Sequence, residues 1–359
     1  MRIEQSKNAK GKEIYTLVQS GLTIFDKPAQ KPLVTVKGNG ADLEKTEQFH
    51  KWAERKMTTQ IMVRRIADIA KELGDFEFAA ECWDTYFCMN SIYIANGRLY
   101  SKYGYCKNRH CTLCCCIRKA EIINKYSPYL TKTWVNAHLL TLTIKAPYLN
   151  RLNHRVDEMY KVLKTIFAKY RKLRRKGKSI KLMGIKSLEI LFNPEKEWYH
   201  CHFHMVVPDR ETADIIKKEW CAYWGKTFAN PKCQDIRPVW DMEGALDEVI
   251  KYGNKIFTEP NKDKKLQGAA NPKIYARAYY HIYKAMKGRR IFDRFGFNLP
   301  KPENPKKGML TDLKDYKQYD FDPNSADYIN EDLDFPLIGH NKDPALVYLL
   351  KYCIDTKRE

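Results

Sequence analysis

The stretch HCHFHMVVP at 200–208 decides the fold. His202 and His204 stand two apart, ahead of apolar Met205, Val206 and Val207. On a strand that spacing puts both imidazoles on one face, where they can grip a single cation. The apolar flanks make it a buried strand, and unpaired imidazoles would be expensive there. Upstream, IKLMGIKSLEILF at 180–192 reads as a second strand and turns through NPEKEW into the histidine strand. That pairing brings in Glu189, an oxygen ligand of the kind Mn²⁺ or Mg²⁺ requires beside nitrogen. His200 faces the same way and is the alternative third ligand, whereas Cys201 faces away. AHLLTLTIKAP at 137–147 alternates as a further strand and stops at Pro147. Segments 137–145, 183–192 and 200–207 therefore predict a central antiparallel sheet with His202 and His204 on its face.

Downstream, DEVIKYGNK at 247–255 reads as a short helix. Glu248, Tyr252 and Lys255 are spaced i, i+4 and i+7, which aligns them on one side. Tyrosine is a poor nucleophile at its free pKa of ~10. It attacks efficiently when a cation lowers that pKa and a metal polarises phosphoryl oxygens. Lys255, one turn on, can do the first or stabilise the departing oxygen. YARAYYHIYK at 275–284 holds a rival pair, Tyr279 and Tyr283, without comparable flanking residues.

The cysteines form a second constellation. Cys106-x4-Cys111-x2-Cys114 needs one more ligand for a tetrahedral Zn²⁺ site. After Cys88, SIYIANGRLYSKYG reads as a hairpin turning at Asn96-Gly97, so Cys88 at its base would complete the set. His110, Cys115 and Cys116 are alternatives. A closed four-sulfur site leaves no position for substrate, which makes this zinc structural. Eleven clustered cysteines, an odd number, fit a reducing cytosol better than a disulfide framework. No apolar run approaches the ~18 residues of a membrane span, and no secretory h-region is visible. The expectation is a cytoplasmic protein with no membrane partner.

Around these sites the chain divides into four. Residues 1–40 carry Lys, Gly and Pro breakers and read as a flexible arm. Residues 41–130 are a helical and zinc-binding region, with helical spacing over 41–81 and another helix near 115–126. Residues 131–300 hold the sheet, a helix over 212–225 and a short strand near 235–240. Residues 301–359 form a C-terminal appendage, acidic and aromatic over 311–335. The fold class is α+β: an antiparallel sheet, flanking helices, a zinc hairpin, and helical additions at both ends.

The longest helix, 155–176, has an apolar stripe of Val156, Met159, Tyr160, Leu163, Ile166 and Phe167. Its other face and end carry Lys169, Arg171, Lys172, Arg174 and Arg175, read here as phosphate contacts. The whole chain has 64 Lys and Arg against 43 Asp and Glu in 359 residues, a net charge of +21. Such a field attracts nucleic-acid backbones whatever their sequence. Its 23 Tyr, 15 Phe and 7 Trp offer rings on which unpaired bases can stack.

Four segments, CKNRHCTLC, LLTLTIKAP, HCHFHMVV and EVIKYGNK, occur in the order found in plasmid rolling-circle replication initiators. The chain resembles that family, within the His-hydrophobic-His endonuclease superfamily, from about residue 88 to 297. The resemblance implies a sheet carrying the histidines with the tyrosine helix alongside. It implies nicking at a double-strand origin, leaving a 5′-phosphotyrosine and a free 3′-OH that primes synthesis. Tyr252 would be the nucleophile, and Glu248 would activate the water that ends replication. The partners implied are origin DNA, double- and single-stranded, and a host helicase with the replication machinery. Two positions depart from the family: Cys201 and Thr112 stand where proline is usual. A single-tyrosine transposase or relaxase shares the same core, and a non-catalytic zinc-containing DNA-binding regulator is the reading from another class.

Overall fold

Alternation along neighbouring segments builds one sheet around the histidine strand. A hairpin of β1 (Arg2–Lys7) and β2 (Glu13–Val18) and a short β3 (Val34–Thr35) come first. Helices α1 (Glu47–Glu72) and α2 (Phe76–Tyr86), strands β4 (Ser91–Ala95) and β5 (Arg98–Ser101), and helix α3 (Thr112–Thr133) follow. The central region runs β6 (His138–Thr143), α4 (Leu149–Arg175), β7 (Gly184–Asn193) and β8 (Trp198–Val207). It continues with α5 (Arg210–Phe228), β9 (Asp235–Pro238) and α6 (Met242–Ile250). Helix α7 (Pro272–Met286), β10 (Phe292–Phe295), β11 (Lys317–Asp322) and β12 (Asp327–Asn330) complete the order. This computed structural model describes residues 2–7, 13–18, 34–35, 47–95, 98–101, 104–250, 272–300, 317–322 and 327–330. Tyr252, Lys255 and the Asn96-Gly97 pair lie outside the described residues.

The central sheet has the order β10-β7-β8-β6-β9 and every neighbouring pair is antiparallel. On β8, Tyr199, Cys201, Phe203, Met205 and Val207 point into the main core beside Leu140, Leu142, Leu188 and Ile190. Helix α4 covers them with Val156, Met159 and Val162, and α5 with Ile216 and Trp220. Phe203, fully buried, meets the edges of Tyr160 at 5.2 Å and Trp220 at 6.2 Å. Truncating such a ring to alanine typically costs ~3–5 kcal/mol. Cys201 thus serves as a small core hydrophobe, which accounts for its tolerance beside the histidines. On the opposite face, Leu139, Ile185 and Val206 pack under Leu246 and Val249 of α6 and under Leu130 of α3.

The second sheet, β12-β11-β4-β5-β3, was not foreseen in this form. Ala95 pairs with Arg98, so two residues connect β4 to β5, as the hairpin reading requires. On the other side of β4, β11 and then β12 add from the acidic segment. Tyr319, Phe321 and Tyr328 bury against Trp52, Met57, Cys88 and Ile92. Where a helical addition is expected at the C-terminal end, the described residues are strands. Their aromatic positions alternate, so the rings turn inward while intervening polar residues need not. The 1–40 stretch, read as an arm, contains the β1–β2 hairpin and β3, which pairs with β5.

Helix boundaries also differ from the periodicity. The single helical run over 41–81 breaks into α1 and α2 at Gly74, whose φ of 74° favours glycine. Asp75 then caps α2, its carboxylate accepting from the Phe78 amide. No helix among the described residues is long and apolar enough to cross a membrane.

Candidate metal centres

Strand register assembles the first centre. Glu189 of β7 pairs with His202 of β8, and Ser187 pairs with His204. On the other side, Thr141 of β6 pairs with His204 and Thr143 with His202. Directly paired residues share a face, so the acid, the imidazoles and the hydroxyls crowd one surface. Glu189 Oε2 lies 3.0 Å from Nε2 of His202 and 3.0 Å from Nε2 of His204. Burial opposes ionisation of Glu189, but hydrogen bonds from His202 and His204 outweigh it and hold the carboxyl down at about 2. Its other oxygen, Oε1, is buried and makes no hydrogen bond. The Thr141 hydroxyl sits 3.2 Å from His204 Nδ1. With a proton on Nδ1 donated to Thr141, Nε2 can give up the proton it shares with Glu189 and offer its lone pair to a cation instead.

These residues fit a divalent ion. Two ligands at right angles on bonds of ~2.1 Å stand about 3.0 Å apart, which is the spacing found here. The orphaned Oε1 gives the same answer, because a buried carboxylate oxygen without a partner is costly unless a cation meets it. One carboxylate and two imidazoles leave positions for water and a phosphate oxygen. His200 does not join the group: it pairs with Leu191 and sets its ring edge-on to Trp198 at 5.5 Å. Burial first, then His202 and Lys196, lower its pKa.

Helix α6 ends at this surface. Asp241 starts it, accepting from the Glu243 and Gly244 amides. Leu246 and Val249 anchor it on the sheet, and the Ser187 hydroxyl donates to the Val249 carbonyl. The last turn is therefore tied to the residue paired with His204. Glu248 lies in that turn, half-buried. Lys119 of α3 forms an ion pair with Asp247, joining the two helices. The rival tyrosines are elsewhere: Tyr279 and Tyr283 are buried in the main core, and burial pushes both phenols up.

The second centre is built of sulfur. The Sγ atoms of Cys88, Cys106, Cys111 and Cys114 all lie within 4.8 Å of one another. Cys88 to Cys114 and Cys106 to Cys114 are each 3.6 Å. A tetrahedral ion with 2.3 Å Zn–S bonds would separate its sulfurs by about 3.8 Å. Cys111 caps α3 while Cys106 and Cys88 come from turns whose next residues, Lys107 and Met89, have φ of 60° and 58°. Hydrogen bonds from Cys111, Cys114 and Cys88 stabilise the Cys106 thiolate and hold its pKa far below the usual thiol range.

The alternative ligands are engaged otherwise. His110 packs edge-on between Phe78 and Tyr283, and the Cys115 thiol donates to the Arg109 carbonyl. Cys116 lies outside the group. Sequence reasoning missed Lys56, which is fully buried and donates to the Tyr86 and Cys88 carbonyls at 2.6 and 2.7 Å. Burial pulls its pKa down to about 8, with the cysteines pushing back. Thr141 and Ser187 were missed too, although alternation places each beside a named ligand.

The basic end of α4 projects past its last fully buried residue, Ile166. Lys169 pairs with Glu219 at 2.6 Å. Arg171, Lys172, Arg174 and Arg175 are exposed and make no ion pair among the described residues.

Residues 98–333 match Rep_1, a family of replication proteins. The chain belongs to that family. A "Protein rep" of Streptococcus pneumoniae is 27% identical over 280 residues, covering 69% of this chain and 82% of that protein. A "Protein rep" of Bacillus amyloliquefaciens is 25% identical over 225 residues, 58% of this chain and 62% of that one. A third, from a Bacillus species, is 29% identical over 156 residues, 40% and 47% of the two chains. No solved structure matches. The family agrees with the plasmid replication initiators that the four motifs resemble. Its span runs past residue 297 to include β11 and β12, so the acidic segment belongs to the matched region.

Proposed function

We propose that this replication protein starts plasmid rolling-circle replication by nicking one strand of the double-strand origin. The observation that carries the reading is the convergence of Glu189, His202 and His204 beside the end of α6. Tyr252 follows Ile250 by two residues, and two residues of chain span at most ~7 Å. A hydroxyl carried on the chain just after a helix packed on the cation-binding face supports reading a phosphoryl-transfer centre there.

Glu189, His202 and His204 hold Mn²⁺ or Mg²⁺, which when bound polarises the scissile phosphate and neutralises its developing charge. Thr141 fixes the His204 ring, and Ser187 fixes the helix end. The Tyr252 hydroxyl gives up its proton and its oxygen attacks phosphorus; the bond to the 3′ oxygen breaks and that oxygen takes up a proton, leaving a phosphotyrosine on the 5′ side and a 3′-OH that the host replication machinery extends while a host helicase unwinds the duplex. Lys255 stabilises charge on the departing oxygen. At termination Glu248 takes a proton from water, whose oxygen attacks the origin phosphorus in place of a second tyrosine; the bond to the 3′ oxygen breaks, leaving a 5′-phosphate and a protonated 3′-OH. Cys88, Cys106, Cys111 and Cys114 bind Zn²⁺ without taking part. Lys169, Arg171, Lys172, Arg174 and Arg175 contact DNA phosphates.

Tyr252→Phe tests this reading by keeping the ring and removing the attacking oxygen. Supercoiled plasmid bearing the origin should stay uncut while binding persists. Mass spectrometry of the wild-type adduct should place the nucleotide on Tyr252; finding it on Tyr279, Tyr280 or Tyr283 would overturn the assignment.

A further inference from the structure

A concave surface at the β10 edge of the central sheet takes no part in the chemistry above. Its volume is about 460 Å³ and its lining includes Lys181, Arg290, Arg294, Phe297 and Asn298. At Gly296 the backbone passes close to Leu182 and Met183: its φ is 76°, and a Cβ there would collide with the Leu182 carbonyl. Three cations face one carboxylate, Asp293, which lies 3.7 Å from Arg290. Lys181 and Arg294 make no ion pair among the described residues. The exposed run Arg174, Arg175, Lys176 and Lys178 leads from the end of α4 directly to Lys181. The cleft thus follows the basic helix end along the chain by a few residues.

We infer that this cleft grips the phosphate backbone of duplex DNA flanking the nick. Position supports it. Arg294 pairs with Ile185, which pairs with Val206, so it lies two strands across and two residues along from His204. Strand spacing and rise put the two backbones roughly 12 Å apart. Chemistry selects duplex over single strand. Unpaired bases are held by free aromatic faces, and the one ring here, Phe297, is stacked on Tyr129 and met edge-on by Trp134. Cations without a stacking platform read phosphates and no bases. The inference takes its location from the proposed nicking face but its chemistry from the DNA partner of a replication protein, so a failed nicking assay leaves the duplex grip standing.

The test is the salt dependence of binding. Full-length protein is titrated with a duplex of about 30 base pairs of arbitrary sequence, where each phosphate contact adds ~0.9 to the slope of log K against log salt. Lys181→Ala/Arg290→Ala/Arg294→Ala should lower that slope by about 2.7. Lys181→Glu/Arg290→Glu, on exposed side chains alone, should lower it by at least about 1.8 and decides the matter if the triple variant misfolds. A single strand of the same length should bind both variants as it binds the wild type. An unchanged duplex slope overturns the inference and leaves the cleft to an acidic protein partner. An equal loss on single strands overturns the duplex assignment.

Discussion

Two ligand clusters lie in one chain and differ in almost every physical respect. The cysteine cluster has four soft donors from two loops and a helix start, all within 4.8 Å of one another. The Glu189 cluster has three harder donors on one sheet face, Glu189 and His204 buried and His202 partly exposed. On the proposed reading, four sulfurs closing around zinc would make the first a staple, and three donors that leave coordination positions unfilled would make the second a workplace. The difference also separates their energetics. A metal bound at the first would hold together β4, β5 and α3, whose core is small, whereas the second rests on strands already packed by α4 and α5. The two are mechanically linked, because α3 carries both a cysteine cap and the Lys119 pair to α6.

The largest effect separating the clusters should come from the staple. Cys111→Ser removes a ligand and leaves three thiolates crowded without full compensation. Binding free energies at structural zinc sites run to ~10–16 kcal/mol in small domains. Hydrogen exchange should show α3 and β4–β5 losing protection while β6, β7 and β8 keep theirs. Equal protection throughout would mean that the sulfur cluster holds nothing together.

Next comes Glu189→Gln, which should leave the fold intact and remove nicking. The same variant should change acid stability in metal-free protein. The Glu189 pKa is lower when folded than when unfolded, so its stabilisation is full above the ordinary carboxylate range. It is lost as pH falls from about 4.5 toward about 2. That amounts to about 3 kcal/mol, absent in the glutamine variant. Unfolding curves for the two proteins that fall in parallel over that window would contradict the hydrogen-bonded arrangement.

Much of this was legible in the sequence, and the reason is local. His202, His204 and Glu189 follow from two alternating strands joined by a short turn, so register was nearly forced. Cys88 followed from the two-residue link between β4 and β5. The addition of β11 to β4 was not legible, since no local period reports a pairing across more than two hundred residues. Acidic composition made that segment look solvated, while Tyr319, Phe321 and Tyr328 were turned inward. Lys56 was hidden for a similar reason: a lysine in a helical pattern reads as surface until a buried carbonyl claims it. The α1–α2 break was readable after all, in Gly74 followed by Asp75.

A smaller effect sharpens the contrast. Thr141→Val keeps shape and deletes the hydroxyl beside His204 Nδ1. Losing such a partner typically weakens metal affinity 10- to 100-fold, so more Mn²⁺ should be needed for half-maximal nicking. Zinc content should not move. An unchanged Mn²⁺ requirement would show that the hydroxyl does not orient the imidazole.

The division of labour between the clusters is tested most directly by mild chelation followed by metal analysis and nicking of supercoiled plasmid in the same samples. Zinc should stay at one per chain while nicking disappears, and Mn²⁺ alone should restore it. Nicking that survives chelation, or that returns only with zinc, would contradict the account.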